Sequence, residues 1–174
     1  MNLSTGWEYD LSYDYLSKAQ LSDWQTYRFS QSLHKLNESS IYYKNNNKEI
    51  DKYRFTWLRS FHVPITISIE KTSNKIKLSW KKGNKSGVVR KKGSKRISKQ
   101  QWSKFIKLIE ESNFENLPNE KYVPMTDGAS WTLEYKSDNG FKIHRTNFPE
   151  NSIKNACLYL LELSGLKIKK RNIY

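Results

Sequence analysis

The sequence predicts an α+β fold: a mainly antiparallel sheet, in the order ββββ–α–ββ–α, with two helices packed on one of its faces. Three observations carry this. From Tyr53 to Lys81 the chain runs in period-two segments, in which Tyr53, Phe55 and Trp57, then Ile65, Ile67 and Ile69, then Ile76, Leu78 and Trp80 alternate with polar neighbours. A second pair of such segments, Trp131–Tyr135 and Phe141–Arg145, is joined by the turn residues Asp138, Asn139 and Gly140. Two stripes at helical spacing supply the cover: Trp102, Phe105, Ile106 and Ile109, then Ile153, Ala156, Cys157, Leu160, Leu161 and Ser164.

Taken in order, Trp7–Tyr15 alternates aromatics and Leu11 with acids and serine and reads as an edge strand, with a helix from Tyr13 into Leu21 as the other reading. Ser22 and Asp23 open a helix whose stripe is Trp24, Tyr27, Leu33 and Leu36. Asn45–Asn47 then forms a loop. Three short-linked strands follow, and Val88–Ile97 reads as a fourth. Ser98 with Gln101 is a capping box opening the first covering helix, which ends near Asn113. Residues 118–127, with two prolines, read as a loop, and Asp127–Gly128 as a turn into the Trp131 strand. Asn147 is expected to cap the last helix, with Pro149 in its first turn and Gly165 ending it. Residues 1–50 thus form an N-terminal extension, 51–166 the α+β domain, and 167–174 a loose basic tail. Trp131, Leu133 and Tyr135 share a strand face, so Trp131 is expected to be buried beneath both helices.

Size and composition fit a single folded domain. Apolar residues make up 36% and aromatics 14% of 174 residues, enough for a core and too many for a disordered chain. No apolar run is long enough to span a membrane, and the first ten residues lack a signal peptide's pattern. With Cys157 the sole cysteine, the expectation is a cytoplasmic protein; a processed, exported chain would look the same, which keeps a periplasmic location as the alternative.

The formal charge of +14 is concentrated. Residues 71–107 hold 14 Lys or Arg and no acid, whereas the segments on either side are balanced. Such asymmetry concerns partners rather than fold. Lys82, Lys85, Arg90, Lys91, Lys92, Lys95 and Arg96 are the candidate binding residues, with Trp80 and Trp102 near enough in sequence to stack on bases if the ligand is nucleic acid. Lysines dominate, which suits a general electrostatic patch better than bidentate recognition. A solvated, lysine-rich sheet edge is the bland reading of the same residues.

No motif in the chain fixes a chemistry. Arg59, His62, Asp127, His144 and Arg145 are expected to converge on one end of the sheet, where a small hydrolase site would be conceivable. Against it, the chain has no nucleophile elbow, HExxH or P-loop, so no catalytic residue is assigned. Neither a cofactor motif nor a metal-ligand spacing is present, and Cys157 reads as a small core residue. Trp7, Tyr9, Tyr13, Tyr15, Tyr42 and Tyr43 serve either as a contact surface or, by the favoured reading, to pack the N-terminal part onto the sheet.

Three blocks, YRFTWLRSFHVPI (53–65), DGASWTLE (127–134) and LYLLELSGL (158–166), resemble a family of small uncharacterised bacterial proteins. The resemblance covers roughly residues 53–166 and implies a bacterial source and no mechanism. The leading expectation is therefore a non-catalytic binding module, of immunity or inhibitor type, presenting a basic surface to an acidic protein partner. The alternative is non-specific nucleic-acid binding through segment 71–107, although no RNP1 strand or GxxG loop is present.

Overall fold

The computed structural model describes residues 23–42, 50–125 and 127–174. These form α1 (Asp23–Lys35), β1 (Asp51–Arg59), β2 (His62–Lys71), β3 (Ile76–Gly83), β4 (Val89–Arg96), α2 (Lys99–Glu111), β5 (Glu120–Lys121), β6 (Ala129–Ser137), β7 (Gly140–Thr146) and α3 (Asn151–Ser164). Short 3-10 turns at Phe114–Asn116 and Lys170–Asn172 complete the description. All seven strands lie in one sheet of order β4-β3-β2-β1-β6-β7-β5. Every neighbouring pair is antiparallel except β5 with β7. The fold is thus α+β, and the expected order of main strands and covering helices holds.

The alternation in β1 dictates the core. Phe55 stands opposite Ile67 on β2 and Leu133 on β6; Trp57 stands opposite Ile65 and Trp131. Helix α2 brings Trp102, Phe105 and Ile109 to this face, and α3 brings Ile153, Ala156, Leu160 and Leu161. Ring centroids lie 4.9 Å apart for Trp57 and Trp131, 5.4 Å for Phe55 and Trp131, and 5.1 Å for Tyr53 and Phe105. Each large apolar side chain placed here contributes about 1.5–3 kcal/mol of transfer free energy. Trp131 is buried in this core, as its strand face requires, with Lys154 of α3 over its ring.

The helix ends show which local signals were sufficient. Ser98 Oγ accepts from Gln101 N–H at 3.1 Å, and Gln101 Oε1 accepts from Ser98 N–H at 3.0 Å, so the capping box forms. Gly165 ends α3 at φ 72°, a conformation that favours glycine. Asn147, however, does not cap α3. Its amide is committed to the preceding loop, accepting from Val123 N–H at 2.9 Å and donating to Val123 O at 2.6 Å, and the cap position is Glu150.

Two further expectations are corrected. Residues 118–127 are not all loop: Glu120–Lys121 add a short parallel strand beside Arg145 and Thr146. The tail is not loose. Ile168, Ile173 and Tyr174 pack against the main core, and Trp131 Nε1–H donates to the Tyr174 carbonyl at 3.1 Å. The second sheet face is covered as well. Phe29 and Leu33 of α1 bury against Ile143, with Tyr42, Leu58 and Phe141 around them. Beneath this cover lie Arg54, Thr56, Thr66, Ser68, Thr132, Glu134 and Arg145, all buried. Polar residues on an alternating strand suggest a wet face, but here Arg54 pairs with Glu134 and the Thr66 hydroxyl donates to Glu38 inside the layer, whereas the Thr56 and Thr132 hydroxyls have no hydrogen-bond partner. Tyr42 meets Phe141 edge-on at 5.3 Å, so this aromatic serves packing; Trp7, Tyr9, Tyr13, Tyr15, Tyr43, the expected Trp7–Tyr15 strand and the Asn45–Asn47 loop lie outside the described residues.

Cys157 is enclosed in the α3 core, and burial pushes its thiol well above the usual range. Because the thiolate is the nucleophile, we expect Cys157 to resist a disulfide exchange reagent in buffer and to react fully in denaturant. Rapid labelling of the native protein, followed by absorbance, would contradict this burial.

Candidate anion-binding surface

The basic segment folds into the outer hairpin of the sheet. β4 is the terminal strand, and cross-strand pairing places Lys82 opposite Lys91, Lys81 opposite Lys92, Leu78 opposite Lys95 and Lys77 opposite Arg96. Alternation then divides the cations. Lys82, Lys91 and Lys95 point to the side of α2 and α3, while Lys77, Lys81, Lys92 and Arg96 point to the side of α1. Arg90 sits at the register shift next to Gly83, and Lys85 at the tip of the turn. The candidate binding residues therefore do not share a face; they line both sides of one edge. Lys85, Arg90, Lys91, Lys92, Lys95 and Arg96 are exposed, and Lys82 is half-buried.

The edge is held in shape by its own sequence. Asn84 Oδ1 accepts from Ser86 N–H at 2.9 Å and from Val88 N–H at 3.1 Å, folding the turn. Gly87 adopts φ +85°, with the Lys35 side chain of α1 laid against it. Gly93 lies under the Trp80 ring, which a Cβ at that position would strike. Trp80 is thereby occupied as a lid on an edge glycine, and Trp102 is buried in the main core. Trp102 is thus closed to a base, while Trp80 is half-buried with one side of its ring against Gly93.

At the turn end of the hairpin, a cleft of about 510 Å³ gathers Arg59, His62, Lys82, Lys85, Lys167 and Lys169, and no acidic residue lines it. These come from the β1–β2 turn, the β3–β4 hairpin and the C-terminal tail. Arg59 is buried, with its guanidinium 4.0 Å from the Trp57 ring centroid. Two of its nitrogens donate to Asn172 O and Val63 O, each at 3.2 Å, while Nε has no hydrogen-bond partner. No salt bridge reaches Arg59 among the described residues, and desolvation lowers its pKa from the ordinary guanidinium value. The tail that completes the cleft is tied down by a 2.8 Å hydrogen bond between His62 Nδ1 and the Tyr174 hydroxyl. At the other end of β4, Lys71, Lys75, Arg96 and Lys99 line a second cleft beside Trp102. Sequence reading missed Lys167 and Lys169 as partners of Lys82 and Lys85. The available signal was the Lys-Ile-Lys alternation at 167–169, where Ile168 packs inward and the lysines face out.

The five residues expected to converge do so only in part. Arg59, Asp127 and Arg145 line a cleft of about 480 Å³ with Arg28, Tyr122 and Ser130. The histidines lie elsewhere. His62 belongs to the basic cleft, and His144, adjacent to Arg145 on a strand, points to the opposite sheet face. There His144 Nδ1 is 2.6 Å from Pro118 O, and burial lowers its pKa, which favours the neutral ring. Arg145 packs against the Phe29 ring, 5.2 Å from its centroid. The cleft that holds Asp127 thus lacks an imidazole to act as acid or base. Among the described residues no three His, Cys, Asp or Glu side chains come together in a way that could hold a metal ion, and no helix is long and apolar enough to cross a membrane.

No protein-family model matches the sequence, and no significant match to a curated protein is found.

Proposed function

We propose that the protein is a non-catalytic binding module whose β4 edge receives an extended, acidic segment of a partner protein. The observation that supports this is the position of β4: it is outermost, and it carries cations on both of its faces. An added strand would gain backbone hydrogen bonds along the edge, the mode by which many sheets take up peptides. Acidic side chains on either face of that strand would meet Lys91 and Lys95, or Lys92 and Arg96, at cross-strand distance. Each such opposite-charge pair is worth about 0.2–1 kcal/mol. Lysines on an edge also keep sheets of like sequence apart, so the same residues that refuse a second copy of β4 would select an acidic strand.

Nucleic acid is the weaker reading, because single-strand binding draws much of its energy from base stacking, whereas Trp102 is buried in the core and Trp80 is half-buried over Gly93. The test is a titration of a labelled peptide of alternating glutamate and valine against the wild type and the Lys91→Glu, Lys92→Glu, Lys95→Glu, Arg96→Glu variant. The wild type should bind at low salt, with slowed amide exchange in β4, and the variant should not. If the peptide fails to bind the wild type, the proposal falls. If single- or double-stranded oligonucleotides bind more tightly, with steep salt dependence, the ligand is nucleic acid instead.

A further inference from the structure

The cleft at the turn end of the hairpin has a composition that strand capture does not use. We infer that it is a separate site for a compact ligand bearing two or more phosphate groups. Three features point there. The first is convergence: Arg59, His62, Lys82, Lys85, Lys167 and Lys169 come from three separate stretches of chain to line one space, with no acidic side chain among them. Like charges so gathered repel, and a multiply charged anion relieves that repulsion at every lysine at once.

The second feature is Arg59. A buried cation is ordinarily paired with an acid. Here it is met by two carbonyls and an indole ring, with Tyr174 as its favourable electrostatic neighbour, and its Nε is left without a hydrogen-bond partner. Both carbonyls, of Val63 and Asn172, belong to residues that line this cleft. Arg59 thus supplies a fixed, desolvated positive charge at the wall, while the four lysines, three of them exposed, supply the others. A planar guanidinium held in place with flexible ammonium groups around it suits a chain of tetrahedral oxyanions better than a single carboxylate.

The third feature is size and closure. About 510 Å³ is within the range of small-ligand sites and exceeds what one phosphate fills. One wall is the C-terminal tail, held by the Tyr174 hydroxyl on His62, the Tyr174 carbonyl on Trp131 and the Asn172 carbonyl on Arg59. A ligand bridging Lys82 and Lys85 to Lys167 and Lys169 would therefore fasten the tail to the hairpin. Binding should stabilise the fold as well as fill the site.

Titration with inorganic tripolyphosphate, followed by calorimetry and by the thermal midpoint, tests this. The wild type should bind saturably, tripolyphosphate more tightly than pyrophosphate and pyrophosphate more tightly than orthophosphate, and its midpoint should rise. The Lys167→Glu, Lys169→Glu variant changes only exposed side chains and should weaken binding at least about tenfold, from the loss of two charge contacts with repulsion added. The β4 variant with four glutamates should keep most of its tripolyphosphate binding although it loses the acidic peptide, which separates this site from the proposed partner edge. If the wild type shows no saturable binding, or if the β4 variant loses as much affinity as the tail variant, the discrete site is wrong and only diffuse attraction remains.

Discussion

Trp131→Ala should remove about 3–5 kcal/mol of stability, the usual consequence of emptying a large aromatic site in a core. The indole is almost fully buried, stacks at 5.4 Å on Phe55, tilts at 4.9 Å against Trp57, and donates to the last carbonyl of the chain. Truncation would therefore open a cavity at the centre of the sheet and free the end of the tail together. A domain of this size often has only about 5–15 kcal/mol in total, so the variant should be barely folded. Lys91→Ala, on the exposed edge, should be nearly neutral. Thermal melts of both proteins decide the matter: a Trp131→Ala midpoint within a degree or two of wild type would overturn the packing described for β1 and β6. The tail gives a second readout, because detaching Tyr174 should also weaken tripolyphosphate binding by whatever protein remains folded.

The face beneath α2 and α3 was legible in the sequence because β1, β2 and β6 alternate and each of these two helices carries one apolar stripe. Tyr53, Phe55, Trp57, Ile65, Ile67, Ile69, Trp131 and Leu133 could be assigned to one buried face from spacing alone. The other face was not legible for a physical reason. Arg54, Thr56, Thr132 and Glu134 stand in the sequence only as the polar half of an alternation, which records polarity and not exposure, yet all four are buried. Their burial depends on Phe29 and Leu33, carried by a helix whose stripe is weak, and on a register that sets Arg54 opposite Glu134. The same limit applies to the candidate site. The lysines of β3 and β4 announce themselves as a run, but a run says nothing of which face each one takes. Arg59 and the tail lysines join Lys82 and Lys85 only through the β1–β2 turn and the docking of Tyr174. Asn147 illustrates a local signal outcompeted: its position before Pro149 suits a cap, yet the Val123 backbone offered both a donor and an acceptor nearer by.

Breaking the buried pair under α1 should be as damaging as losing Trp131, and its pattern is more diagnostic. Arg54 and Glu134 are fully buried and directly opposed across β1 and β6, with Nε to Oε2 at 2.6 Å and NH2 to Oε1 at 2.7 Å. The remaining nitrogen of Arg54 donates to Ser39 O at 2.6 Å and lies 3.8 Å from Glu38, so the guanidinium also fastens the segment after α1 to the sheet. Glu134→Leu would leave a buried cation facing a leucine, and Arg54→Met a buried carboxylate; each should cost about 3–5 kcal/mol. Combining them removes both charges and leaves two apolar side chains of similar bulk in a dry layer. The double variant should therefore recover much of the loss, short of the contribution from Ser39, and the coupling energy from urea melts should be large and favourable. If instead the two single losses are small and simply add, water reaches this layer and α1 does not seal the second face.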